Sequence, residues 1–353
     1  MTTDIDNIIL PFNDGSPGWR DDPAPAPRPP LRMPGVMDMP KFLSCAAPEP
    51  DHVLPGLEAG DVGSIVAAGA TGKSLLALQI LVACAGGADL LELGKAAPGW
   101  APGCADVMYL CAEDRQNIVW RRIQAMAGRL TAEQKDAVGR HLHAVPLRGC
   151  GARLDDYEWR KAIEDGAAGK RLVILDTLRR FHQADENDGT AMAELIMFME
   201  QISAGTGAAI VFLHHTSKDA ARSGTAGEQQ ASRGSSVLTD NVRWQVNLAT
   251  MAEKEAAKAG VPETERRRHV KLVLSKINYG GGIPDLWFVR GAGGVLLPES
   301  TIASALADHA TKKEAQQARA AARAGKKAPA AAAAVDGDGD LPIEPVRQGA
   351  NRV

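Results

Sequence analysis

Residues 69 to 74 read Gly-Ala-Thr-Gly-Lys-Ser, and their flanks limit the fold more than any other feature of the chain. The apolar run Gly63-Ser-Ile-Val-Ala-Ala68 precedes them and the helical run Leu75-Leu-Ala-Leu-Gln-Ile-Leu-Val82 follows. A strand, a tight turn and a helix therefore succeed one another without a break. In such a turn successive backbone N–H groups face inward and cradle phosphate, and the helix adds its positive dipole end. Gly69, Ala70, Thr71, Gly72, Lys73 and Ser74 are the expected phosphate-binding residues. Lys73 is placed to reach the β- and γ-phosphates of ATP, and the Ser74 hydroxyl to hold Mg²⁺. One departure from the full pattern is Ala67, which stands where Gly is usual.

With 353 residues the chain has room for one large domain or two small ones. Its formal charge of −3 excludes a uniformly basic nucleic-acid binder, so any grip on DNA or RNA has to be local or come from assembly. The cysteines (Cys45, Cys84, Cys104, Cys111, Cys150) form no CxxC pair and have no zinc spacing. They read as reduced, mostly buried thiols. The acidic start Met1-Thr-Thr-Asp-Ile-Asp6 is unlike a signal peptide, and the apolar stretch Leu75 to Leu91 is broken by Gln79 and Asp89. A cytoplasmic location without a membrane part is expected.

Residues 1–45 are rich in Pro, Asp and Arg and are expected to be a disordered arm. A single domain is expected over residues 46–300. Residues 301–353 are expected to be an Ala/Lys-rich flexible tail; on its Ala-rich helical stretch from about residue 310, Lys312, Lys313, Arg319, Arg323, Lys326 and Lys327 stand against Glu314, as in a solvated end.

Between the tails, strands and helices alternate. Asp106-Val-Met-Tyr-Leu-Cys-Ala112 runs into Glu113-Asp114, and a helical pattern follows from about Gln116 to Arg129. Arg171-Leu-Val-Ile-Leu175 ends in Asp176, and a helix from about Thr190 to Ser203 leads to Ala208-Ala-Ile-Val-Phe-Leu213, which ends in His214-His215. Continuously apolar strands separated by helices imply an α/β fold whose mainly parallel sheet is covered on both faces. Sites in such sheets lie outside the carboxyl ends of the strands. Lys73, Glu113, Asp176 and His214 are thus delivered to one rim. Asp176 fits the acid that holds Mg²⁺ through water, Glu113 the base that activates a water, and His214, with His215, a sensor of the γ-phosphate. Asp114 reads as a helix cap. Thr216 to Ser236 has no apolar period, and its Lys218, Arg222 and Arg233 suit a loop that meets a phosphate backbone.

The order P-loop, Glu, Asp, His, polar loop is that of the RecA-type ATPase core. Beyond it, Asp176-Thr-Leu-Arg-Arg-Phe-His182, Val211-Phe-Leu-His-His215, Gln229-Gln-Ala-Ser-Arg-Gly-Ser-Ser-Val-Leu238, Asp240-Asn-Val-Arg-Trp244 and Ser275-Lys-Ile-Asn-Tyr-Gly280 resemble the RepA-type hexameric replicative helicases of IncQ-type broad-host-range plasmids. The likeness spans roughly residues 50 to 300, and that family also relaxes the first P-loop glycine. It implies a RecA-like P-loop NTPase core and a homo-hexameric ring that unwinds DNA 5′-to-3′ with ATP and Mg²⁺ at subunit interfaces. Its implied partners are single-stranded and forked DNA, with a separate origin-binding initiator and primase. It assigns Glu113 as base, Asp176 as Mg²⁺ acid, His214 and His215 as sensors, and Arg243 as the arginine supplied to a neighbour's site. DnaB-type helicases use Lys-x-Arg on a later strand; here Lys276 is followed by Asn278, so Lys276 alone could contribute. Two other readings fit the residues: a RecA-like recombinase or loading accessory without unwinding, and a P-loop switch that binds a protein partner.

Overall fold

The computed structural model describes residues 35–216, 236–300 and 311. Lys218, Arg222, Arg233, most of the arm and nearly all of the tail lie outside the described residues. The chain divides into two units, Met1–Glu49 and Pro50–Val353. In the first, helix α1 (Met39–Ser44) forms within the segment whose composition pointed to disorder. Its reason is local: Asp38 caps it by accepting from the Lys41 N–H at 3.2 Å, and Pro40 occupies its first turn.

The second unit opens with a short hairpin, β1 (His52–Leu54) and β2 (Leu57–Glu58), and then β3 (Val62–Ala67) leads through the P-loop into α2 (Lys73–Gly86). There follow α3 (Leu93–Ala96), β4 (Val107–Cys111), α4 (Gln116–Ala127), α5 (Ala132–His141), β5 (Leu142–Pro146), α6 (Tyr157–Ala167) and β6 (Leu172–Asp176). Next come α7 (Gly189–Thr206), β7 (Ala209–His215), α8 (Val237–Asn241) and β8 (Trp244–Thr250). Two short helices, α9 (Glu253–Ala259) and α10 (Glu263–Arg266), lie between β8 and β9 (His269–Ile277), and β10 (Leu286–Arg290) and β11 (Leu296–Pro298) complete the unit.

Nine of the described strands form one sheet in the order β11-β10-β9-β8-β3-β7-β6-β4-β5, and β1 and β2 pair apart from it. The six from β8 to β5 run parallel, and β9, β10 and β11 extend the sheet antiparallel. One apolar cluster joins α2, α4 and α5 to one face of the sheet, and a second joins α6, α7 and α8 to the other. Both faces are therefore covered, which is why the strands read as unbroken apolar runs. A P-loop strand flanked by β8 and β7, with β6 and β4 beyond, is the RecA-like P-loop NTPase fold.

Helix α2 is buried along thirteen of its fourteen residues, so its sequence shows no polar stripe. Its end lies so close to α5 that a Cβ on Gly86 would stand 2.6 Å from a Val138 methyl. Gln79, buried in the middle of α2, uses its amide twice on the Leu296 backbone: Nε2 donates to the carbonyl at 2.9 Å and Oε1 accepts the N–H at 2.8 Å. Satisfying both ends of a buried amide makes it stabilising rather than costly, and it fastens β11 to the helix that follows the P-loop. All five cysteines are free thiols. Cys84 and Cys111 are buried, whereas Cys45, Cys104 and Cys150 are exposed, fewer buried than composition suggests. Burial pushes the Cys84 thiol up to about 12. Among the described residues no helix is long and apolar enough to cross a membrane.

Candidate nucleotide-binding site

The P-loop turn leaves β3 and re-enters helix at Lys73. Gly72 takes a φ of +107°, which only glycine adopts without strain, and its carbonyl accepts the first helical bonds from Leu75 and Leu76. Ala70 also lies in the left-handed region, at φ +60°. The side chain there gains nothing for a phosphate cradle built from backbone N–H groups. Replacing Ala70 by Gly is expected to stabilise the nucleotide-free protein by about 0.5–1 kcal/mol, the left-handed penalty less the added chain entropy. Chemical denaturation measures this directly.

Inward-facing N–H groups turn the carbonyls of such a loop outward, where they need donors of their own. Arg290, at the end of β10, supplies one: its Nη2 donates to the Thr71 carbonyl at 2.6 Å. Burial lowers the Arg290 pKa.

Strand ends deliver the rest. Lys73 begins α2, Asp176 is the last residue of β6, His215 the last of β7, and Glu113 stands two residues past β4. All four occupy the carboxyl rim of neighbouring strands, although β6 and β7 separate the strand of Glu113 from the P-loop strand. Lys73 is buried, and its Nζ lies 3.3 Å from His215 Nδ1. Burial lowers the Lys73 pKa, Glu113 and then Asp176 oppose that, and Arg122 adds to the fall. These four charges therefore share one electrostatic environment.

Strand alternation separates the two histidines. Val211 and Leu213 belong to the α2-side cluster, and so His215 comes to Lys73. Ile210 and Phe212 belong to the α7-side cluster, and so the buried His214 lies across the sheet from the P-loop helix. The sequence put His214 first; the geometry puts His215 beside Lys73. Asp114 also differs from expectation. Arg115 holds the N-cap position of α4 and no side chain caps it, while Asp114 pairs with Arg122 of α4 at 2.7 Å.

Asp176 is fully buried, and burial raises its pKa; Tyr109 and then Ser74 hold it down, Glu113 adds to the rise and Lys73 opposes it. Tyr109 donates to Oδ2, while Oδ1 is buried and makes no hydrogen bond of ordinary geometry. A hydroxyl and a carboxylate oxygen side by side suit Mg²⁺, which takes one or two protein oxygens and fills its shell with phosphate and water. Among the described residues no group of three or more His, Cys, Asp or Glu could hold a metal unaided.

Arg243 stands apart. It immediately precedes β8, its N–H donates to the Val62 carbonyl at 2.9 Å, and its side chain is exposed. It is near enough to Asp61 to oppose the burial that raises the Asp61 pKa. Val62 and Ala67 bound β3, so Arg243 and the P-loop lie at opposite ends of that strand, separated by roughly 15–20 Å at the usual rise per residue. Lys276 lies close enough to Arg243 for the two charges to interact. Its Nζ is engaged by the Thr239 and Asp240 carbonyls at 2.9 and 2.7 Å, where it closes the end of α8.

Sequence reasoning missed Tyr109, Gln79, Arg122 and Arg290. Only Tyr109 carried a signal, a polar-tipped ring within an otherwise apolar run that ends at the rim.

The model of the family described as "AAA domain" matches residues 27–221, more than half of the chain. Among solved structures, a DnaB-like replicative helicase described with its interactions with primase aligns at 15% identity and a TM-score of 0.47, over 68% of this chain and 57% of that one. The RadB recombinase aligns at 14% identity and a TM-score of 0.44, over 68% of this chain and 91% of that one.

Proposed function

The chain belongs to the AAA domain family, and from that premise we propose that it is a ring-forming DNA helicase of a plasmid or related mobile element, related to the RepA type and moving 5′-to-3′. Each ATP sits between two copies of the chain. The observation that carries this reading is the split of its charged groups between the two ends of β3. Lys73, Ser74, Glu113, Asp176 and His215 collect at the carboxyl rim, and Arg243 lies exposed at the amino end, beyond reach of its own P-loop. An exposed arginine at that end is free to enter a neighbour's site, and a head-to-tail contact of this kind gives a ring when its rotation closes.

In this reading the P-loop N–H groups and Lys73 bind and orient the phosphates. Glu113 takes the proton of the attacking water, and the neighbour's Arg243 neutralises charge that develops on the transferred group. Bound Mg²⁺, held by Ser74 and through water by Asp176, would neutralise the β- and γ-oxygens. His215, in contact with Lys73, is placed to register loss of the γ-phosphate at the end of β7, from which the polar segment 217–235 continues. The sequence stretches that resemble RepA-type helicases support DNA as the polymer, and an initiator and a primase are then separate proteins. A cytoplasmic location accords with that role.

The test is ATP-dependent strand displacement on forked DNA with a free 5′ or a free 3′ tail, with Lys73→Ala as control. Displacement that requires the 5′ tail and disappears in the variant is the expected result. DNA-stimulated hydrolysis without displacement would replace the helicase by an accessory ATPase or recombinase. Hydrolysis indifferent to DNA would remove the polymer altogether.

A further inference from the structure

Strand β4 reads Val107-Met-Tyr-Leu-Cys111 and is buried along its whole length. A phenylalanine would fill the place of Tyr109 equally well. A buried hydroxyl without a partner would cost about 1–3 kcal/mol, so the phenol is tolerated there only because something accepts its proton. That acceptor is Asp176. In the parallel register Tyr109 faces Ile174 and Cys111 faces Asp176, so the ring has only to lean forward along the strand to bring its hydroxyl to Oδ2. Burial, and next the Asp176 charge, raise the phenol pKa well above its usual value, which keeps the group a donor. The two oxygens of Asp176 are thereby made unequal: Oδ2 is taken, and Oδ1 is buried without a hydrogen bond of ordinary geometry.

We propose that Tyr109 is a positioning residue for the Mg²⁺–nucleotide complex: its hydroxyl fixes the carboxylate of Asp176 so that Oδ1 is the oxygen left for the ion's water shell. This rests on the assignment of Asp176 as the Mg²⁺ acid. Groups that orient a metal-binding side chain without touching the metal commonly govern affinity by about 10- to 100-fold. Tyr109 does so through one hydrogen bond across neighbouring strands. The hydroxyl is spent on Asp176, so its loss acts through the placement of that carboxylate.

The experiment compares wild type, Tyr109→Phe, Asp176→Asn and the double variant, each as the full chain. Mn²⁺ binding in the presence of a non-hydrolysable ATP analogue is followed by electron paramagnetic resonance. Fluorescent-nucleotide affinity in EDTA and the melting temperature of the nucleotide-free protein are measured beside it. Tyr109→Phe is expected to weaken Mn²⁺ about 10-fold while nucleotide affinity in EDTA is kept. The double variant should be no weaker than Asp176→Asn alone, since both changes remove the same placement. Wild-type Mn²⁺ affinity in Tyr109→Phe, with Asp176→Asn weakened, would overturn the role of Tyr109 and leave the Asp176 assignment standing. Full Mn²⁺ affinity in Asp176→Asn would overturn that assignment, and the proposal with it. A double variant weaker than Asp176→Asn, or equal losses of metal and EDTA affinity in Tyr109→Phe, would make the tyrosine a packing residue only.

Discussion

Arg243→Ala is expected to bind ATP as wild type does and to turn it over about 10³-fold more slowly, the usual worth of a cation supplied in trans to the transferred phosphoryl group. At about 1.4 kcal/mol per decade that is about 4 kcal/mol of transition-state stabilisation. Binding is spared because Arg243 lies at the amino end of β3, away from the turn that cradles the phosphates. Folding is spared because the side chain is exposed and the backbone N–H that pairs with Val62 remains in the alanine variant. Steady-state hydrolysis at saturating ATP, beside equilibrium nucleotide binding, reads the two effects separately. Unchanged turnover would remove Arg243 from the site. Lys276→Ala is the informative control: its ammonium closes the end of α8 just before Arg243, so its loss is expected to slow turnover less and to lower the melting temperature more.

Lys73→Ala is the second large effect, a fall in turnover of at least about 100-fold, because a buried ammonium next to phosphate acts in a water-poor setting where charge counts most. Here the structure makes a finer prediction. Lys73 is held in the nucleotide-free site against a desolvation penalty that lowers its pKa, partly offset by Glu113 and Asp176. Removing it should leave the nucleotide-free melting temperature unchanged or raised, while nucleotide no longer stabilises the protein as strongly. A variant that simply unfolds at lower temperature would show instead that Lys73 holds the rim together.

The fold was legible where its signals are contiguous. The P-loop run, β4, β6 and β7 each announce themselves by apolar residues ending in a charged or ionisable one, and the structure places those ends on one rim. The edge strand β5, whose Leu142-His-Ala-Val-Pro146 is half exposed, gave no such run. The antiparallel extension escaped because β10 and β11 are short and are held by distant residues, as in the Gln79–Leu296 pair 217 positions apart.

Within the site the same distinction holds. His214 and His215 were found together, but which one meets the P-loop helix depends on strand phase, fixed only by register against β3. Arg290 was invisible as a site residue because its partner lies 219 positions away, and the polar tip of Tyr109 did not reveal a partner 67 positions away. Resemblance supplied Arg243, whereas topology shows how far it stands from its own P-loop.

The most direct test of a site shared between copies mixes two inactive proteins. Lys73→Ala has a crippled P-loop and an intact Arg243; Arg243→Ala has the reverse. After dissociation and random reassembly in equal amounts, about one interface in four joins an intact P-loop to an intact arginine across a head-to-tail contact. The mixture is then expected to recover hydrolysis toward a quarter of the wild-type rate, although neither variant alone turns over. A mixture as inactive as its components, shown by labelled chains to have exchanged subunits, would contradict the shared site.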